Sequence, residues 1–110
     1  MGNASILGEF EQLILLAILR IGKEAHAALI REEIEARIDR QISRGAVYTT
    51  LDRLENKGLL SSLLGEPRPV RSGRARRYYM VEPEGVEALN EAREVMRKMW
   101  TGLELVPGDR

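Results

Sequence analysis

The segment SRGAVYTTLDRLENKGL, residues 43–59, predicts a short helix with a defined beginning and end. Its apolar residues are Val47, Leu51 and Leu54. They follow one another at steps of four and three, a spacing that places side chains on one face of a helix. Ser43 has the side-chain oxygen that caps a helix start, and Gly58 can adopt the left-handed conformation that ends one. We therefore expect this face to be buried.

The opposite face of the same helix combines cations, hydroxyl groups and one aromatic ring. It carries Arg44, Tyr48, Thr49, Asp52 and Arg53. Such side chains can contact phosphates and base edges, whereas a plain solvated helix usually carries a lattice of Glu and Lys. The segment by itself is equally consistent with an ordinary amphipathic helix, so both interpretations stay open at this point.

The composition is that of one soluble domain. The chain has 110 residues, of which 44% are hydrophobic and 31% charged, and no apolar run approaches the length of a membrane span. The apolar run from Leu13 to Leu19 follows Glu9 and Glu11, where a secretory signal would carry positive charge, so it predicts a buried helix. The absence of cysteine excludes disulfides and thiolate metal sites, and it agrees with the cytoplasmic location that we expect.

The charges are unevenly distributed although the formal net charge is zero. Residues 43–79 contain 8 Lys and Arg against 3 Asp and Glu, whereas residues 1–42 contain 5 against 7 and residues 80–110 contain 4 against 7. A basic centre between acidic ends favours a localised anionic partner, which repulsion elsewhere would hold in one orientation.

Two helices are predicted before residue 43. Phe10 to Leu19 is apolar around most of its circumference and must be covered on all sides, which indicates a subunit interface. From about Glu24 to Arg37, a second helix has an apolar stripe and a charged outer face. Its short connection to the 43–59 helix makes this pair a helix-turn-helix candidate.

A β-hairpin is predicted after these helices. Leu59 to Leu64 and Arg77 to Val81 have the composition of strands, and the Gly, Pro and Ser of residues 65–76 predict an irregular tip. In the second strand we expect Tyr79 to point inward and Tyr78 outward. The tip concentrates positive charge, which favours a polyanion through counterion release over a merely solvated loop. Its arginines are Arg68, Arg71, Arg74 and Arg76, with Arg77 at the strand entry.

The last predicted helix begins at Pro83, a residue type suited to the first turn. Apolar residues recur along it at spacings of three and four, as in a heptad seam that packs against another long element. The seam consists of Val86 or Leu89, then Ala92, Met96, Met99 and Leu103, with Trp100 beside it. Residues 105–110 predict a frayed tail.

This order of elements predicts a mainly α fold with a small β-hairpin. It is the order of a winged helix-turn-helix over residues 1–82 with an appended dimerisation helix over residues 83–104. Over roughly residues 7–103 the sequence resembles the PadR-like family of bacterial transcriptional regulators. One motif of the family is matched by Ser43, Gly45, Ala46, Val47, Tyr48, Leu51, Arg53, Leu54, Glu55, Gly58 and Leu59. The other is matched by Gly73, Arg74, Arg76, Arg77, Tyr78, Tyr79, Pro83, Glu84 and Gly85.

The resemblance implies a homodimer in which the last helix of one subunit packs against the first and last helices of the other. Together with the exposed-face argument, it implies DNA contacts by Ser43, Arg44, Tyr48, Thr49, Arg53, Arg68, Arg71, Arg74 and Arg76. The expected dimer contacts are Phe10, Leu13, Leu16, Leu89 and Leu103. Met96, Met99 and Trp100 belong either to that interface or to a site for a small planar apolar effector.

We therefore expect a homodimer that binds a pseudo-palindromic double-stranded DNA operator and acts as a transcriptional repressor, without membrane contact, metal or cofactor. The alternative is a winged-helix module for protein–protein interaction, whose arginine tip meets an acidic partner. An enzyme is not expected, because the sequence offers no nucleophile, metal cluster or phosphate-binding loop. The lone histidine, His26, is expected to be structural.

Overall fold

The computed structural model describes residues 6–67 and 75–105, and its elements follow the predicted order. The helices are α1 (Glu9–Ile21), α2 (Ala27–Ile38), α3 (Arg44–Asn56) and α4 (Pro83–Trp100). A 3-10 turn (Gly22–Glu24) lies between α1 and α2, and strands β1 (Leu60–Pro67) and β2 (Ala75–Val81) lie between α3 and α4. The fold is mainly α with a small hairpin, as predicted for a winged helix.

The core lies where α1, α2 and α3 meet. Ile14 and Leu15 of α1, Ile30 of α2 and Leu51 of α3 are fully buried. Removing one such side chain from water stabilises the fold by roughly 1.5 to 3 kcal/mol. Because all three helices contribute to this core, it fixes the direction in which the outer face of α3 points.

The hairpin is antiparallel and is anchored to the turn after α1. Leu60 pairs with Val81, and the backbone N–H of Tyr79 donates to the carbonyl of Ala25 at 2.9 Å. The Tyr79 side chain is buried, which confirms the inward orientation. Tyr78 points to the other face of the hairpin, where its ring meets the ring of His26 edge to face at 6.0 Å and is half-buried.

The strands reach further into the tip than the sequence indicates. The prediction of an irregular segment over residues 65–76 is wrong at both ends, because β1 continues to Pro67 and β2 begins at Ala75. Cross-strand pairing continues past a bulge between Leu64 and Pro67, and this irregularity accommodates the Gly and Pro that argued against a strand. Arg76 therefore belongs to β2 instead of the tip.

Two predicted helix boundaries also need correction. The second helix begins at Ala27 instead of about Glu24, because Gly22–Glu24 forms the 3-10 turn. The last helix ends at Trp100, so Leu103 lies beyond it and is 57% exposed. The backbone leaves the helical conformation at Thr101, whose ψ is 129°, and Gly102 follows with a φ of +88°, as is common for a glycine after a helix end.

The outer sides of α1 and α4 leave apolar side chains in solvent. Leu16 and Leu19 of α1 are 45% and 50% exposed, although Ile14, Leu15 and Ile18 of the same helix are buried. A single chain therefore covers only one side of α1, as its all-round apolar sequence indicated. None of the helices in the described residues is long and apolar enough to cross a membrane.

Candidate nucleic-acid interface

The helix α3 is capped and buried in the way its sequence predicts. Ser43 is the N-cap residue, and its Oγ accepts a hydrogen bond from the backbone N–H of Ala46 at 3.1 Å. The predicted apolar face is confirmed, because Val47, Leu51 and Leu54 are at most 1% exposed. The cap fixes where the helix begins, and the buried face fixes its rotation about its own axis.

The opposite face of α3 is open to solvent. Arg44, Tyr48, Thr49 and Arg53 are all exposed, as is the cap residue Ser43. Tyr48 is 55% exposed, a large fraction for an aromatic side chain. The structure thus brings the cap residue and the four predicted α3 residues onto one accessible surface with cationic and hydrogen-bonding groups.

A groove of about 330 Å³ lies between the start of α3 and the start of α2. Arg44 and Tyr48 form its α3 side, and Ala27, Ala28 and Arg31 contribute to its α2 side. The small alanines leave the space open, and the guanidinium groups of Arg31 and Arg44 line it together with the carboxylate of Glu32. Arg31 is not among the predicted site residues, because the charged face of α2 predicts only a solvated surface. Its spacing of four residues from Glu35 predicts their ion pair and not its place in this groove.

The wing contributes one predicted residue to the described part of the chain. Arg76 is half-buried in β2, while Arg68, Arg71 and Arg74 lie outside the described residues. The neighbouring Arg77 donates from Nη1 to Ser62 Oγ at 3.0 Å, and Ser62 donates to Glu55 of α3 at 2.8 Å. This chain of hydrogen bonds joins the wing to α3.

A second groove, of about 470 Å³, lies between α1 and α4. Its apolar lining includes Leu16, Leu89 and Met96, three of the residues predicted for the dimer or effector surface. Leu89 is half-buried, as are Phe10 and Leu13. Met99 and Trp100 do not line this groove and are 72% and 53% exposed at the end of α4.

His26 has a structural environment. It is 9% exposed, its Nδ1 lies 2.9 Å from the carbonyl oxygen of Glu24, and its ring contacts Tyr78. Burial raises the pKa of the phenol of Tyr79, the residue after Tyr78 in β2. Within residues 6–67 and 75–105 there is no group of three or more His, Cys, Asp or Glu placed to hold a metal ion.

Comparison with known proteins identifies the family of this chain. The model of the Transcriptional regulator PadR-like family matches residues 15–91. Transcriptional regulator Rv3488 of Mycobacterium tuberculosis is 42% identical over 76 residues, which are 69% of this chain and 66%, slightly under two thirds, of the relative's length.

Solved structures show the same fold at lower identity. F93 from STIV, described as a winged-helix DNA-binding protein, has a TM-score of 0.70 and 19% identity, and the match covers 91% of this chain and 100% of F93. A PadR family transcription regulator from Clostridium difficile R20291 has a TM-score of 0.64 and 23% identity, with 82% and 90% of the two chains covered. The family is one of transcriptional regulators and not of enzymes, in agreement with the sequence-based expectation. The family match over most of the chain, on this winged-helix fold, shows that the chain belongs to the PadR-like family of transcriptional regulators.

Proposed function

We propose that this protein is a cytoplasmic homodimer that binds double-stranded DNA in a sequence-specific manner and represses transcription. The observation that carries the proposal is the division of α3 into two faces. One face is buried in the core. The other face carries Arg44, Tyr48, Thr49 and Arg53, and all four are exposed to solvent. Membership of a family of transcriptional regulators supports this interpretation of the exposed face.

In the proposed complex, α3 enters a major groove with its N-terminal end leading. Arg44 is the first residue of the helix and the best candidate for a contact to a guanine edge, because its guanidinium can donate two parallel hydrogen bonds. Thr49 and Arg53 would contact the sugar-phosphate backbone. Arg76, with Arg68, Arg71 and Arg74, would bring the wing to the backbone or the minor groove.

The proposed dimer is formed through α1 and α4. Leu16, Leu19, Met96, Met99 and Trp100 form the apolar surface that a second copy would cover. Phe10, Leu13, Leu89 and Leu103 would extend it. A two-fold axis through this surface would present two copies of α3 to half-sites one helical turn, about 34 to 36 Å, apart. The operator would then be pseudo-palindromic.

Repression follows from occupancy, because a dimer that covers a promoter sequence excludes other proteins from it. Relief of repression would require an effector that binds the DNA-free dimer more tightly than the DNA-bound dimer. The apolar end of α4, at Met96, Met99 and Trp100, is where a small planar apolar effector would bind, between the two subunits.

The test is a salt titration with a duplex selected by the protein from a random-sequence library. We expect the logarithm of the binding constant to fall linearly with the logarithm of salt concentration, by about 0.9 per phosphate contacted. Arg44→Ala should lose about 1 to 3 kcal/mol of discrimination against unselected duplex. Arg97→Ala, on the exposed side of α4, is the matched control. Absence of both duplex binding and salt dependence would instead favour the protein-interaction module.

A further inference from the structure

Two side chains of α2 hold the backbone of the residue that precedes the α3 cap. Arg31 Nε donates to the carbonyl oxygen of Ile42 at 2.6 Å, and the N–H of Ile42 donates to Glu35 Oε2 at 2.8 Å. Arg31 Nη2 and Glu35 Oε2 are themselves 3.6 Å apart. Arg31 and Glu35, the Ile42 clasp, therefore satisfy both polar backbone groups of one loop residue.

The clasp holds a turn in which residues 40–42 make no backbone–backbone hydrogen bond to the described part of the chain. Asp39 ends α2 with a φ of +55°, and residues 40–42 that follow belong to no helix or strand. The next residue, Ser43, is the α3 cap, and Arg44 is the first residue of that helix. A displacement of Ile42 would therefore pass directly to the two residues that lead α3.

Glu35 places a negative charge near the proposed DNA-binding surface. Glu35 lies on α2 close to Arg31, which lines the groove with Arg44 and Tyr48. A carboxylate beside a surface for DNA opposes phosphate binding, so electrostatics alone would favour its absence. Glu35 nevertheless makes two contacts there, the ion pair with Arg31 and the hydrogen bond from the N–H of Ile42, and the second of these connects it to the turn before α3.

We propose that Arg31 and Glu35 are positioning residues for DNA recognition: their clasp on Ile42 sets the place of Ser43 and Arg44, and thereby the sequence discrimination of α3. This inference rests on the proposed function. A bidentate contact to a base tolerates a misplacement of only about 0.5 Å. Loss of the clasp should therefore reduce discrimination between DNA sequences more than it reduces the overall affinity for DNA. Contacts of Arg53, near the far end of α3, depend on it less.

The test compares Glu35→Ala, Glu35→Gln and the control Glu33→Ala. Glu33 lies on the same helix and carries the same charge, but it pairs with Arg37 and not with the turn. Binding is measured for the duplex selected by the wild-type protein and for the unselected library. We expect Glu35→Ala to lower the ratio of the two affinities about tenfold while affinity for the library stays equal or rises. Glu33→Ala and Glu35→Gln, which keeps a hydrogen-bond acceptor, should keep the wild-type ratio.

The possible outcomes separate the clasp from the proposed function. Wild-type protein that binds both duplexes equally would overturn the proposed function and this inference with it. Suppose that the wild-type protein prefers the selected duplex over the library. The inference alone would be overturned if Glu35→Ala kept this preference, or if Glu33→Ala lost it to the same extent as Glu35→Ala. Amide hydrogen exchange provides a test without DNA, since exchange at Ile42 should be slow in the wild-type protein and faster in Glu35→Ala. Fast exchange at Ile42 in the wild-type protein would also contradict the clasp.

Discussion

Lys57 Nζ lies 2.8 Å from Glu11 Oε2, and this ion pair joins the C-cap residue of α3 to the first turn of α1. The carboxyl group of Glu11 also accepts a hydrogen bond from the N–H of Gly8 at 3.0 Å. Glu11 is only 8% exposed. The pair therefore holds one end of the proposed DNA-reading helix against the helix proposed for the dimer, and it complements the Ile42 clasp at the other end.

We expect the Glu11 pair to make stability depend on acid pH. Burial alone would raise the pKa of Glu11, but the hydrogen bonds from Lys57 and Gly8, with the charges of Lys57 and Arg53, outweigh it and lower the pKa below 4.5. A carboxyl group with a lowered folded-state pKa contributes stability above its unfolded-state pKa and loses it as the pH falls through the folded-state value. Glu11→Gln should therefore cost about 1 to 2 kcal/mol at pH 7 and progressively less below pH 4.5.

The measurement is urea denaturation of both proteins across acid and neutral pH. Glu94→Gln is the control, because Glu94 pairs with Arg97 on the fully exposed side of α4 and its loss should leave stability nearly unchanged. Equal stability of the wild-type protein and Glu11→Gln at pH 7 would show that the pair contributes nothing.

Gly45→Ala should have opposite effects on folding and on DNA binding. Apart from its neighbours in the chain and the backbone of its own helix, a Cβ at Gly45 would have no heavy atom of the described residues within 4 Å, and the residue is exposed in the first turn of α3. Alanine should therefore stabilise the free protein by about 0.5 to 1 kcal/mol through helix propensity. In the proposed complex the added methyl group would meet the DNA beside Arg44 and weaken binding. Thermal melting and duplex titration together check this, and unchanged binding in the stabilised variant would place the start of α3 away from DNA.

Gly85→Ala should destabilise the protein without involving DNA. A Cβ at Gly85 would lie 2.4 Å from the carbonyl oxygen of Leu59 and 2.7 Å from Val81 Cγ1. Because the first of these is a backbone atom, α4 would have to shift at its start, at a cost of about 1 to 3 kcal/mol. Denaturant unfolding measures the loss. Stability equal to that of the wild-type protein would mean that α4 does not begin against Leu59 as described.

Trp100 provides a direct probe of the proposed dimer, because it is the single tryptophan of the chain and is 53% exposed in one subunit. Its emission should shift to longer wavelength as dilution separates the subunits. Leu16→Glu, which places a charge in the proposed interface, should give the shifted spectrum and a monomer mass at all concentrations. Leu105→Glu, at a residue 68% exposed beyond α4, is the control. A wild-type protein that sediments as a monomer at micromolar concentration would contradict the interface.

Local patterns in the sequence predict much of the fold. The spacing of Val47, Leu51 and Leu54 places the buried face of α3, and Ser43 marks its start, because both effects act within one helical turn. The alternation of side chains between the two faces of a strand likewise predicts that Tyr79 points inward. The reach of β2 to Ala75 is less predictable, because cross-strand pairing overrides composition there. The end of α4 at Trp100 has a local signal in Gly102, which has a positive φ, as Gly58 has after α3.

The sequence by itself determines the order of elements, the polarity of each face and membership of the PadR-like family, since these depend on residue type and short-range spacing. Only the tertiary structure decides which distant groups meet. Glu11 and Lys57 are separated by 46 positions, and Arg31 and Ile42 by 11, so no helical or strand period relates them. Their contacts exist because packing of α1, α2 and α3 around one core brings these groups within hydrogen-bonding distance.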